Sequence, residues 1–349
     1  MKILITGADG YIGSILGPVL LERGHDVTGL DVGLYRDGWL YNGVKRSPAC
    51  ISKDVRHATT ADLEGFDGVV HLAELSNDPL GQLNRENTYR INHLGSVNLA
   101  KLCKEAGVTR FVYSSSCSVY GLGTDHFRTE ESATDHQTAY AECKVLVERD
   151  VSKLADDRFS PTFLRNATAY GPSPRMRFDL VVNNLAGLAW TSNEIKMISD
   201  GTPWRPFAHV LDICQAFACA LEAPREIIHN QIFNVGDTRE NYQVRDVARI
   251  VSDVFLGCEL TFGRSDGDNR SYRVSFDKAN SQLPGFRCRH DVIAGANQLR
   301  ELFERIDMST ETFQFRAYTR LRQLEYLIQT QQIDRDFSFE VPARLSVGA

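Results

Sequence analysis

Apolar residues follow two rhythms along this chain. Residues 2–6, 25–31, 68–73, 110–114 and 162–165 are short runs rich in Val, Ile, Leu and Phe, closed by glycine or polar residues. Such runs read as parallel strands buried on both faces. Between them, 11–24, 84–107 and 137–156 carry apolar positions at helical spacing. Strands alternating with helices predict an α/β protein built on a doubly wound parallel sheet over residues 1–166. Past that point Pro172, Pro174, Pro203 and Pro206 punctuate shorter elements, which predicts a smaller mixed domain over 167–349. The strand-like residues 232–235 predict a return to the first sheet near 209–236. An amphipathic stretch, 311–329, reads as a long terminal helix, followed by a loose tail of a dozen or so residues.

Composition changes this picture little. The net charge of −6 offers no footprint for nucleic acid or an anionic membrane, so any anionic ligand must be held by local cations. No apolar run approaches the roughly 18 residues of a membrane helix. Met1-Lys2-Ile-Leu-Ile5 runs straight into a strand, so no signal peptide is expected. Eight cysteines are scattered without a C-x-x-C pair, which predicts reduced thiols in a cytoplasmic protein rather than disulfides. Neither they nor the nine histidines show metal-ligand spacing.

The most local chemical signal is Thr6-Gly7-Ala-Asp-Gly10-Tyr11-Ile12-Gly13, set between the first strand and first helix. Gly7 permits the tight turn, Gly10 lets backbone approach a pyrophosphate, and Gly13 allows close helix–strand contact. Asp31 ends the second strand 18 residues past Gly13, where a carboxylate accepts the ribose hydroxyls of NAD and repels a 2′-phosphate. This predicts a Rossmann-type NAD-binding domain. Arg36, close behind, suits a 2′-phosphate and keeps NADP as the lesser alternative.

Further on, Ser114-Ser-Ser116-Cys-Ser-Val-Tyr-Gly121 follows a predicted strand, so its hydroxyls gather at the carboxyl edge of the sheet. Tyr140 and Lys144 stand at i and i+4 at the start of a predicted helix, which puts ammonium and phenol on one face. A neighbouring ammonium favours the phenolate and should lower the tyrosine's pKa. Tyr140 would then take a proton from a substrate alcohol while hydride leaves the same carbon for the cofactor. Ser116 would hydrogen-bond the reacting oxygen.

With these motifs, and with Asp54-Val55, His71-Leu72-Ala73, Asn92, Tyr170-Gly-Pro172 and the string from Arg205 to Asp212, nearly the whole chain resembles the extended short-chain dehydrogenase/reductase family. Within it, the resemblance is to nucleotide-sugar epimerases and dehydratases. The resemblance implies a tightly held NAD, with Asp54 and Val55 at the adenine, Leu72, Ala73 and Ser114 along the cofactor, and Asn92 supporting the catalytic helix. It implies a nucleotide-diphosphate sugar as substrate, contacted by Ser76, Ser116, Thr168, Asn183, Arg205, Arg264 and Tyr272, and a homodimer formed through the helices at 84–107 and 137–156.

Departures from the family pattern carry information. Dehydratases place Asp-Glu after the catalytic hydroxyl; here Cys117 and Ser118 stand there. Thr168 replaces a frequent Asn. Glu74 occupies a place where small residues are usual, and would repel a pyrophosphate unless turned away or paired. The expected activity is epimerisation of a nucleotide sugar, most simply at C4. A one-way 4-ketoreductase or dehydrogenase using the same residues is the alternative, and a non-catalytic redox-sensing binding protein is the third.

Overall fold

The computed structural model describes residues 1–43, 46–76, 78–123, 126–264 and 270–339. The expected tail therefore falls largely outside the described residues. The strands are β1 Lys2–Thr6, β2 Asp26–Asp31, β3 Ala49–Ser52, β4 Gly68–His71, β5 Arg110–Ser116, β6 Ser160–Asn166, β7 Thr168–Tyr170, β8 Glu194–Met197, β9 Trp204–His209, β10 Gln231–Val235, β11 Asn241–Gln243 and β12 Glu259–Phe262. Seven of them form one parallel sheet in the order β10-β6-β5-β4-β1-β2-β3. The strand order reverses between β1 and β4, which opens the crevice where ligands bind in this Rossmann-type architecture.

Alternation along each strand feeds two cores. On β1, Ile3 and Ile5 join Val70, Val112, Leu164 and Phe217 on one face of the sheet. Leu4 points the other way, to Val69, Leu99, Phe111 and Val147. β10 lies parallel to β6 from Gln231 opposite Thr162 to Val235 opposite Asn166, so the return segment completes the sheet. Beside this layer sit two small sheets, β11-β9-β7 and β12-β8. No helix among the described residues is long and apolar enough to cross a membrane.

Two expected helices are broken. The stretch predicted at 84–107 resolves into Arg85–Thr88, a wider-wound turn Tyr89–Gly95, and the helix Ser96–Glu105. The widening is anchored by Asn92, whose side chain grips Leu75 through both its N–H and its carbonyl at 2.9 Å. The stretch at 311–329 resolves into Thr310–Gln314, a single tight turn Arg316–Tyr318, and the helix Arg320–Gln329. There the backbone N–H of Phe178 donates to the Tyr318 carbonyl at 2.8 Å and holds the break. The last helix then crosses back to the amino-terminal part of the chain, where Leu324, Leu327, Ile333 and Phe337 pack with Leu34, Leu75, Leu80 and Ile91.

Candidate active site

A cavity of about 640 Å³ opens at the carboxyl ends of β1, β2, β4 and β5 and runs beneath β7 and β9. The glycine loop is built to be approached closely. Gly7 has a φ of +74°, and a Cβ there would lie 2.8 Å from the Ala73 amide nitrogen. A Cβ on Gly13 would lie 2.3 Å from the Gly7 carbonyl oxygen, so only glycine lets the first helix start against the turn. The loop residues Gly7, Gly10, Tyr11, Ile12 and Gly13 all line the cavity. At the end of β2, the Asp31 carboxylate accepts from the backbone N–H of Asp9 (3.0 Å) and of Gly33 (2.7 Å). This cradle of glycine, helix start and half-buried acid suits the adenosine and pyrophosphate of a dinucleotide.

Further along, Val55, Leu72, Ala73 and Ser114 line the same half. Asp54 lines it too, but its carboxylate is engaged by Arg56, whose Nε lies 3.0 Å from one oxygen. Asn92 lies behind the wall rather than in it, fixing Leu75.

The three residues expected to act in catalysis, Ser116, Tyr140 and Lys144, meet at the cavity floor. Thr138 caps the helix Ala139–Ser152 by accepting from the Ala141 N–H at 3.2 Å, and donates its own hydroxyl proton to Asp78. Tyr140 therefore falls in the first turn and lines the cavity with Ser116 of β5, which favours its phenolate form. Lys144 follows one turn later, 5.3 Å from the centre of the Tyr140 ring and only 3% exposed.

Lys144 is not free to act on the phenol alone. Its ammonium donates to the Ser114 carbonyl and forms a buried ion pair with Glu74. Glu74 also accepts from the Tyr113 hydroxyl at 2.6 Å and from the Ser96 hydroxyl at 3.4 Å. Of the two escapes open to this acid, pairing is the one realised. The expected lowering of the Tyr140 pKa is corrected as a result. Burial lifts it above the usual phenol value; Lys144 pulls it down, but Glu74 and Asp78 push it further up. Burial opposes the charged form of Lys144, yet the Glu74 carboxylate outweighs it and keeps the ammonium charged.

Of the residues expected to contact substrate, Ser76, Thr168, Arg205 and Tyr272 line the cavity, and the Arg205 guanidinium lies 5.4 Å from the Tyr272 ring centre. Two expected contacts do not. Asn183 is buried behind the wall, where it accepts from the Gly171 N–H (2.9 Å) and donates to the Arg177 carbonyl (3.1 Å). Arg264 is exposed just past β12 and apart from the cavity. The guanidinium on that side is instead Arg270, ion-paired with Asp78. Arg177, from the basic stretch after Pro174, and Arg320 line the cavity as well. Arg177 is held by Asp179 at 3.0 Å, and Arg320 comes from the last helix. For Arg320 a signal existed: it stands four and seven residues before Leu324 and Leu327, a cation on the apolar stripe.

Fold and site together define a dinucleotide-dependent enzyme of Rossmann type. The chain belongs to the NAD dependent epimerase/dehydratase family, which residues 3–236 match. A UDP-glucose 4-epimerase of Corynebacterium glutamicum is 30% identical over 303 residues, covering 81% of this chain and 90% of the relative. That of Lactobacillus helveticus is 27% identical, covering 85% and 96%. Among solved structures, MoeE5 in complex with UDP-glucose and NAD is 27% identical, with a TM-score of 0.74 over 88% of this chain and all of its own. The UDP-glucose 4-epimerase of Thermotoga maritima, at 22% identity and a TM-score of 0.75 over 88% of this chain and 100% of that one, shares the fold.

Proposed function

We propose that the protein is a nucleotide-sugar epimerase that inverts C4 through a transient 4-keto sugar. The observation that carries this reading is Tyr140, flanked by Ser116 and Lys144, on the floor of a cavity with dinucleotide features at one end and Arg205, Arg270 and Tyr272 at the other. Arg205 and Arg270 suit the substrate diphosphate, since guanidinium binds phosphate oxygens in pairs. Tyr140 removes the proton of the C4 hydroxyl and later returns it, while Ser116 holds the same oxygen. A bound nicotinamide would supply the hydride acceptor and then the donor. Asp31 favours NAD over NADP by charge. Dehydration is disfavoured because the positions after Ser116 bring no carboxyl group. Cys117 is 1% exposed and its thiol donates to the Arg165 carbonyl at 3.2 Å, while Ser118 alone of the two lines the cavity.

Incubation with UDP-, GDP-, CDP- and dTDP-sugars should yield a C4 epimer with no net change in nicotinamide absorbance. Stoichiometric consumption of NADH or NADPH would replace the epimerase with a one-way ketoreductase.

The Glu74 pair makes a second prediction. Turnover needs the Tyr140 phenolate and a charged Lys144, so it should rise with pH as the phenol ionises and fall as the ammonium is lost. Glu74 raises both groups. Glu74→Gln should therefore move both limbs of the kcat profile to lower pH. Limbs that stay in place would show that Glu74 does not tune the pair.

A further inference from the structure

We propose that Arg320 is a phosphate-binding residue of the cofactor cleft, and that its ligand is the pyrophosphate of the dinucleotide. This rests on the reading of the cleft as a dinucleotide site.

Arg320 is the first residue of the helix Arg320–Gln329, is 2% exposed, and lines the cavity beside Thr319, Leu321 and Phe337. Its guanidinium lies 4.0 Å from the centre of the Tyr35 ring, in the loop that follows β2. Among the described residues it donates no hydrogen bond and forms no ion pair within 4.0 Å. Every other arginine lining the cavity is bound: Arg56 to Asp54, Arg177 to Asp179, Arg270 to Asp78 and Arg205 to the Trp204 carbonyl. Guanidinium has five N–H donors and stays charged, so leaving it buried without an acceptor is expensive.

The surrounding chain holds Arg320 there deliberately. One turn later, Gln323 donates to the Leu34 carbonyl (3.2 Å) and to Asp37 (3.1 Å). Arg316, before the helix, pairs with the same Asp37 at 2.8 Å. The helix start is thus pinned to the loop after β2. The charges that reach Arg320 are Arg177, which repels it, and Asp179 and Asp31, which attract it. Asp31 closes the strand after the glycine turn and marks the cofactor half of the cavity. Arg205 and Arg270, at the other half, are placed for the sugar nucleotide. In NAD the only anionic group is the pyrophosphate, and a paired, fork-shaped donor matches it.

Titration calorimetry on the full chain freed of bound nucleotide tests this. Arg320→Met should weaken NAD and ADP by roughly ten- to a hundred-fold, as expected for loss of charged hydrogen bonds, and leave adenosine binding unchanged. Should Arg320→Met not fold, Arg320→Gln keeps a neutral polar head and reads the same difference. Equal NAD affinity in variant and parent would overturn the proposal. So would a loss confined to NADP, which would assign Arg320 to a 2′-phosphate, or one confined to UDP, which would assign it to the substrate. A parent protein that binds no dinucleotide would overturn the cofactor reading itself, and this proposal with it.

Discussion

Tyr140→Phe should lower kcat by roughly 10²–10⁴-fold, the usual contribution of a positioned acid–base group, with the fold intact. The substitution deletes one oxygen from a ring whose place is set by the Thr138 cap and the helix behind it. Packing is preserved, and the nearby Ser116 hydroxyl keeps its bond from the Ser118 N–H at 3.1 Å. Binding of nucleotide and nucleotide sugar should change little, because their phosphates are read by other groups. The check is kcat measured alongside substrate affinity and the thermal midpoint. Turnover within a factor of two or three of the parent would remove Tyr140 from the chemistry and revive the non-catalytic reading.

Glu148→Ala should cost about 3–5 kcal/mol of folding stability, the range for stranding one member of a buried ion pair. Glu148 lies on the helix Ala139–Ser152 and holds Arg165 of β6 by two bonds, 3.0 Å at Nε and 2.7 Å at Nη2. Both side chains are almost fully buried. Arg165 also donates to the Tyr120 hydroxyl (2.9 Å), and Ser115 donates to Glu148 at 2.5 Å. Through Ser115 and Arg165, Glu148 therefore fastens its helix to β5, which carries Ser116, and to β6. Removing the carboxylate leaves a charge that cannot lose its proton. Replacing Glu148 and Arg165 together by Met should recover much of the loss. Urea unfolding decides the matter: a change below about 1 kcal/mol would mean that water reaches Arg165.

What the sequence made legible is what short-range physics writes. The turn from β1 into the first helix is encoded within eight residues, because Gly7 takes the positive φ and Gly10 and Gly13 answer contacts from Gly7 and Ala8. Tyr140 and Lys144 were legible for the same reason, being one helical turn apart. The fate of Glu74 was half legible: the chain shows an acid in an unwelcome place, but pairing with Lys144 joins two elements that only the sheet brings together. Arg264 and Asn183 fall outside the cavity for partners the local sequence does not name: Asn183, on the helix Val181–Ser192, is taken up by Gly171 and Arg177. β3 escaped notice because all four of its residues are exposed and carry no alternation. The two helix breaks depend on partners far away in sequence, Leu75 for one and Phe178 for the other.

The last described helix has a consequence for how the molecule is assembled. Gln323 and Leu34 touch across 289 positions of chain. During synthesis, the opening strands can leave the ribosome and pair long before residues 319–337 exist. A nascent domain at that stage has its glycine turn but lacks one wall of the cleft, Arg320 included. The pocket as it stands here is thus finished late, by chain made after the rest of it.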